Sequence, residues 1–498
     1  MSDMASAEAN KNAELHYKKM TETPVHKLVL RLGLPTTISM LITNIYNMAD
    51  TYFVGGLSES AQGAIGILFT LQAIIQAIAF MLGHGSGTYV SKELSHKNID
   101  KASGYVSTAF FLGGGVGLML MTVGLIFIKP FMLFLGSTET ILPYAVDYGT
   151  YVLLSCPLLI MSLILNNNLR YEGKAFYAMI GLTTGGLLNI FGDWLLVSKF
   201  NFGVVGAGIA TAVSQLISFV ILLIMYFKNA QTKIRLKSVS LKAKMILSIV
   251  AVGLPSLIRQ GLSSISSGLL NNLSKPFGDS AIAAMSIVGR YTNLVLCVGL
   301  GIGQGFQPVC SFNYAAGKID RVKKALTFTV LIGFVLMTVL AVPGIVAPEK
   351  VIWIFQKKPQ VIECGKNALM FASIGALFLP LSVTANMLYQ SIQKAATASF
   401  LAMLRSGLVF IPCLLLFSWL WDFTGIQLAQ PVADALSGLI SLPFLIAFIK
   451  KASCNEPLSS DSDSGDGIRH NADILDSQED GADSAITCGA ECKADTEE

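Results

Sequence analysis

Residues 33–55 read GLPTTISMLITNIYNMADTYFVG. The stretch contains no Lys or Arg and a single acid, Asp50, and as a helix it is long enough to cross a hydrocarbon core of about 30 Å. An unpaired backbone is too costly in lipid, so the stretch is predicted to be a membrane-spanning helix. Pro35 and Asp50 are unusual within such a helix, and each needs a further explanation.

The whole chain shares the apolar character of this stretch. Of its 498 residues 53% are hydrophobic and only 13% are charged, whereas soluble domains carry about 25% charged residues. Long apolar runs predict an all-α polytopic membrane protein with twelve transmembrane helices, at about 28–54, 61–91, 104–128, 141–168, 176–198, 204–227, 245–273, 281–311, 326–347, 361–391, 396–421 and 426–449.

Basic residues between the runs alternate from one side to the other. Positions on the side of the N-terminus carry 23 Lys and Arg residues, and the opposite side carries seven. The positive-inside rule therefore predicts a multi-pass protein of the cell (inner) membrane with both termini in the cytoplasm. The N-terminal segment 1–24 is polar and lacks the apolar core of a cleavable signal peptide.

The C-terminal segment 452–498 differs from the rest of the chain. It carries 13 acidic residues and two basic residues between positions 455 and 498 and has no hydrophobic period. Such a composition predicts a disordered, solvated cytoplasmic tail. The lipid bilayer is the predicted surrounding of the remaining chain, and no nucleic-acid partner is predicted.

The sequence repeats itself at an offset of 220 residues. The matches include Gly33-Leu34-Pro35 on Gly253-Leu254-Pro255, Gly83 and Gly85 on Gly303 and Gly305, Ile99-Asp100-Lys101 on Ile319-Asp320-Arg321, and Asn166 on Asn386. Six spans per repeat leave both halves in the same orientation. We predict two pseudo-symmetric six-helix bundles, 25–227 and 245–451, joined by a basic cytoplasmic linker at 228–244.

Two acids lie inside the predicted spans of the first half. Spans 1 and 5 both run outward, so Asp50 and Asp193 fall at similar depth in their outer halves. Asn189 lies one turn before Asp193 on the same helix face, and Thr211 reaches a matching depth in span 6. A charge within a span normally faces a cavity or a partner. These four residues predict a coupling site for a small hard cation such as Na⁺, or for protons.

The same stretches resemble a known family. Gly33-Leu34-Pro35, the run Asn47-Met48-Ala49-Asp50-Thr51-Tyr52-Phe53-Val54-Gly55, Leu169 to Lys174, Asn189-x-x-x-Asp193 and Gly206 to Thr211 are similar to motifs of the multidrug and toxic compound extrusion (MATE) family. The resemblance implies a V-shaped pair of bundles that exports cationic amphipathic small molecules in exchange for H⁺ or Na⁺, with no other cofactor. Asp50, Asn189, Asp193 and Thr211 match the cation site of its DinF-like members.

Other residues are candidates for the cargo cavity or for movement. Apolar candidates for an adaptable wall are Met40, Met48, Met161, Met179 and Phe191. The charged candidates in the second half are Arg259, Arg405 and Asp434. Pro35 is the predicted hinge of span 1, and His84 is a candidate titrating group within span 2.

The two halves are not predicted to be equivalent in function. At the offset of 220, Asp50, Asn189, Asp193 and Thr211 fall on Leu270, Val409, Cys413 and Pro431. The first half alone is therefore expected to hold the main ion site of a protein that acts as a monomer. No catalytic set of an enzyme is present in the sequence. The alternative function is a flippase for lipid-linked precursors or other amphipathic metabolites.

Overall fold

The computed structural model describes residues 2–453, apart from the side chains of residues 2–10, 12, 59, 279, 452 and 453. The predicted acidic tail lies outside the described residues from position 454 onward. Sixteen α-helices and no strand are found in the described part: α1 Ser2–Glu22, α2 Val25–Gly55, α3 Glu59–Ser95, α4 Ile99–Ile126, α5 Ile128–Phe134, α6 Leu142–Tyr171, α7 Ala175–Asp193, α8 Gly203–Asn229, α9 Ala243–Ser274, α10 Asp279–Ala315, α11 Ile319–Val346, α12 Pro348–Phe355, α13 Pro359–Ala376, α14 Leu379–Ser391, α15 Ala395–Met403 and α16 Phe410–Ser453.

Ten of the described helical runs are long and apolar enough to cross a membrane. The pair α13 and α14, bent by 46° between them, makes an eleventh crossing where the sequence predicted one unbroken span. Pro380 lies in the first turn of α14, and such a residue begins a helix rather than continuing one.

The last of the ten runs, Ala395–Lys451, contains two crossings. Its 57 residues would measure about 85 Å as one straight helix, twice the thickness of a bilayer. The backbone leaves the helical region at Trp421 and Asp422. Arg405 and Asp434, on either side of this break, approach to 2.8 Å, although a straight helix would separate them by about 44 Å. The chain turns back at the break, and the prediction of twelve spans is confirmed.

The two bundles cross where backbones come into direct contact. The helix pairs that pack most extensively between the bundles are α2 with α10 and α3 with α9. A methyl group added to Gly305 would lie 2.9 Å from the carbonyl oxygen of Val29, and one added to Gly85 would collide with the carbonyl of Ile249. Small residues permit such close approach of helices. The offset of 220 converts one contact into the other, so the predicted pseudo-symmetry extends to the packing.

Hydrogen bonds hold the bundles together at the end where α1 lies. His84 Nδ1 is 2.6 Å from Ser256 Oγ, and Ser311 Oγ donates to the carbonyl of Thr88 at 3.1 Å. Lys92 Nζ donates to Gln393 Oε1 at 3.2 Å. These contacts close the interface at one end of the spans.

The connection between the halves is bound to the first bundle. Residues 230–242 separate α8 from α9, in the region of the predicted linker. Backbone N–H groups of Lys233 and Arg235 donate to Ser103 and Ser107 on α4 at 2.9 and 3.1 Å. The linker therefore packs along α4 of the first bundle.

Candidate functional site

Asp50 is buried near the end of α2, with 1% of its surface exposed. The Tyr148 hydroxyl, from α6, donates to Asp50 Oδ2 at 2.6 Å and lies 3.1 Å from Thr211 Oγ1 on α8. Asn189 Nδ2, from α7, donates to Thr211 Oγ1 at 3.2 Å. A continuous polar chain therefore joins four helices of the first bundle.

Asp193 completes this cluster. It is the last residue of α7, directly before a π-helical turn at Trp194–Lys199, and it is fully buried. Its carboxyl group interacts directly with that of Asp50. Two carboxyl groups in contact both remain charged only when a cation lies between them. Without a cation, one of them holds a proton.

The oxygen atoms of the cluster fit such an ion. Asp50 Oδ1, both carboxylate oxygens of Asp193 and Asn189 Oδ1 are buried without a hydrogen-bond donor among the described groups. Carboxylate and amide oxygens are ligands of hard cations, and either carboxylate can accept a proton. No group of three or more His, Cys, Asp or Glu residues that could hold a metal occurs within 2–453.

Tyr148 was missed by the sequence prediction. It lies near the start of span 4, and span 4 begins on the side of the membrane where span 1 ends. Tyr148 therefore falls at about the same depth as Asp50. A buried Tyr hydroxyl within a span needs a partner, and this is the signal that could have identified it.

The second bundle has a different polar pair in place of this cluster. Asp434 is fully buried on α16, and its Oδ1 accepts 2.8 Å bonds from Arg405 Nε and Gln430 Nε2. The pair is an Arg–carboxylate contact, whereas the first bundle brings two acids together. The two halves of the repeat therefore present different charges.

A cavity of about 270 Å³ lies between the bundles. Asn189 and Thr211 reach its wall, whereas Asp50 and Asp193 lie behind them. Of the predicted cavity residues, the structure places Met40, Met179, Arg259 and Arg405 on the wall. The two carboxyl groups and the cavity are thus separated by one layer of polar side chains, Asn189 and Thr211.

Four predicted cavity residues lie off this wall. Met48 and Phe191 are 38% and 55% exposed on the outside of their helices. Met161 packs against Gly114 of α4, with its sulfur 3.1 Å from the position that a methyl group there would take. Asp434 lies behind Arg405. The helix rotation that decides these directions is set by packing between spans, which spacing along the chain does not reveal.

Pro35 and His84 both lie within membrane-spanning helices. Pro35 lies inside the unbroken helix α2, where Ser39 Oγ donates to its carbonyl at 3.0 Å. His84 is fully buried between the bundles and stacks on Phe80 at 5.4 Å. A hinge at Pro35 stays a prediction.

Comparison with known proteins agrees with this architecture. The profile of the MatE family matches residues 35–195 and 255–415, two segments separated by the same 220 residues as the repeat. The chain is 25% identical to the multidrug export protein MepA of Staphylococcus aureus (strain MRSA252) over 434 residues, which cover 87% of this chain and 95% of that protein.

Solved structures show the same fold. An outward-facing multidrug resistance MATE transporter of the MOP superfamily matches with a TM-score of 0.82 and 20% identity, over 88% of this chain and 98% of that one. A MOP-superfamily transporter from Pyrococcus furiosus, described as having a binding pocket of reverse polarity, matches with a TM-score of 0.81 and 21% identity over 87% and 98% of the chains. The twelve spans, the repeated halves and the profile that matches both of them lead to one conclusion: this chain belongs to the MatE family of membrane transporters.

Proposed function

We propose that this chain is a secondary active multidrug exporter that exchanges amphipathic small molecules for H⁺ or Na⁺ by alternating access. The observation that carries the proposal is the contact between the buried carboxyl groups of Asp50 and Asp193 behind the cavity wall. The name of the S. aureus relative, a multidrug export protein, supports export as the direction of transport.

The cluster is suited to coupling because its charge depends on the ion that it holds. A bound cation would bridge the carboxylates of Asp50 on α2 and Asp193 on α7, and a bound proton would neutralise one of them. Without either, the two negative charges repel each other. Asn189 and Thr211 connect that change to the cavity wall. An ion drives transport only if it binds the two conformations with different affinity, and a change in the distance between α2 and α7 would supply that difference.

The bundle interface provides the other element of alternating access. Hydrogen bonds such as that of His84 with Ser256 close the end near α1, and they must break for cargo to enter from that side. We propose that this end faces the cytoplasm of the cell membrane, in line with the distribution of Lys and Arg, and that the protein works as a single chain.

The charge of the cargo is a separate question from the coupling. The family resemblance implies cationic compounds, yet no Asp or Glu is present on the described cavity wall. A shared fold does not decide a substrate, and one structural neighbour has a pocket of reverse polarity. The proposal of ion-coupled export therefore stands independently of cargo charge.

The test is transport in proteoliposomes with pH and Na⁺ gradients imposed one at a time. Wild-type protein should move a fluorescent amphipathic compound under at least one gradient. Asp50→Asn and Asp193→Asn should each lower the gradient-driven rate at least tenfold. Asp147→Asn is the matched control, because Asp147 is an exposed acid on α6 beside Tyr148. Full gradient-driven transport by both cluster variants would overturn the proposal.

A further inference from the structure

Three arginines reach the wall of the cavity, and none of the carboxylates that the structure describes does. Arg170 arrives from the end of α6, Arg259 from α9, and Arg405 from the π-helical turn before α16. The rest of the described wall is made of neutral polar and apolar side chains. The fixed charge facing the cargo is therefore positive.

Among the described residues, two of the three arginines have only neutral hydrogen-bond partners. Arg170 donates to Gln304 Oε1 and to Asn167 Oδ1, each at 2.5 Å, and its Nε has no partner there. Arg259 donates to Asn386 Oδ1 at 3.0 Å. Amide oxygens satisfy hydrogen bonds, but they do not neutralise a guanidinium. Arg405 alone has a counter-charge, Asp434.

The arginines also act on one another. Arg259 lies within electrostatic range of both Arg170 and Arg405. Like charges held together in a low-dielectric cavity are unfavourable unless an opposite charge joins them. Guanidinium groups bind carboxylate, sulfonate and phosphate oxygens through paired N–H donors. An anion in the cavity would relieve the repulsion and use the donors at once.

We propose that the cavity binds amphipathic organic anions. The carboxylate, sulfonate or phosphate group would bind at Arg259, within electrostatic range of Arg170 and Arg405, and the apolar body would contact the wall formed by Met40, Phe80, Leu159, Leu163, Met179 and Leu182. The inference rests on the proposed export function and names its substrate class. Such an anionic group occurs both in water-soluble organic anions and in the head groups of anionic lipids.

Equilibrium binding to the full chain in nanodiscs tests the charge preference without requiring transport. The probes are 8-anilinonaphthalene-1-sulfonate, an aromatic sulfonate, and rhodamine 6G, an aromatic cation. Arg259→Gln should weaken sulfonate binding about tenfold, the equivalent of about 1.4 kcal/mol, and leave cation binding unchanged or tighter. Arg259→Lys should retain most of the sulfonate affinity, because it keeps the charge.

Two further variants control the experiment. Arg290→Gln removes an exposed arginine of α10 that does not line the cavity, and both affinities should stay within twofold of wild type. Asp434→Asn removes the counter-charge of Arg405, so sulfonate binding should tighten and cation binding should weaken. Tighter binding of rhodamine than of the sulfonate by wild type, or equal effects of Arg259→Gln on both probes, would overturn the inference.

Transport assays separate this inference from the coupling proposal and identify the source of the anion. Asp50→Asn should stop gradient-driven export while leaving sulfonate binding intact, so a failure of coupling and a failure of charge preference give different results. Release of a soluble sulfonate from proteoliposomes supports export of free anions. Movement of a fluorescent phosphatidylglycerol between leaflets, without sulfonate release, supports the lipid as the source. Transport of the cationic dye alone contradicts the inference.

Discussion

The Tyr148 hydroxyl donates a 2.6 Å hydrogen bond to Asp50 across 98 residues of sequence. This bond links span 4 to span 1 at the point where Asp50 contacts Asp193. It supplies the one side-chain donor described for the Asp50 carboxylate, whose second oxygen is left for an ion or a proton. Tyr148 is therefore placed to fix the orientation of Asp50 in the proposed ion site.

Removal of this hydroxyl should impair coupling more than folding. A hydrogen bond to a charged group contributes about 1.5–3 kcal/mol, so Tyr148→Phe should lower gradient-driven transport by about tenfold or more. The initial rate in proteoliposomes measures the effect, and probe binding in nanodiscs should change little. Tyr144→Phe, one turn earlier on α6 and exposed, is the control; an equal loss in both variants would contradict the assigned role of Tyr148.

The second-half counterparts of the ion cluster should be dispensable. Cys413 occupies the position that corresponds to Asp193 at the offset of 220 and is half-buried on α16. Cys413→Ser should leave gradient-driven transport within twofold of wild type, whereas Asp193→Asn should lower it at least tenfold. Parallel rate measurements at matched protein incorporation check this asymmetry. A large loss in Cys413→Ser would show that both halves share the coupling.

The crossing of α3 with α9 should not accept a methyl group. Alanine at Gly85 would collide with the carbonyl of Ile249, a backbone group that cannot turn aside. Overpacking of this kind costs about 1–3 kcal/mol. Gly85→Ala should lower the thermal unfolding midpoint in detergent by several degrees. Gly115→Ala, where an added methyl group meets nothing within 4 Å, should leave the midpoint unchanged; a similar decrease there would contradict the explanation.

Docking of α1 should weaken on acidification because of His16. This side chain is buried, with its ring 5.5 Å from that of Phe312 on α10. Burial, with Lys174 and Lys19 nearby, lowers the pKa of His16 to about 3 from an ordinary value of 6.5. The undocked helix therefore binds more protons, and docking, fully favoured above pH 6.5, loses stability as the pH falls toward 3.

At pH 5, which is 1.5 pH units below the ordinary histidine pKa, the docking of α1 is expected to lose about 2 kcal/mol of stability. Hydrogen exchange of the amides of residues 13–22, corrected for intrinsic rates, should show reduced protection at pH 5 relative to pH 7.5. His16→Gln should remove the pH dependence, and His96→Gln, which changes an exposed histidine, should retain it. Unchanged protection of the wild type at pH 5 would contradict this account.

The linear order of apolar and charged residues determined the twelve spans, the offset of 220 and the depth of Asp50 and Asp193. These features depend on helix length and on the exclusion of charge from lipid, and both are properties of contiguous sequence. Pro380 in the bent tenth span and the backbone break at Trp421 and Asp422 show where this reasoning stops, because apolar length alone does not locate a bend.

Only the tertiary structure decided which side chains meet. The bond of Tyr148 to Asp50, the glycine contacts between the bundles and the shared cavity of Arg170, Arg259 and Arg405 depend on how each helix is rotated about its axis. Most spans here are apolar around much of their circumference, so the sequence carries little signal for that rotation. Packing between the helices fixes it, and with it the positive charge of the cavity wall.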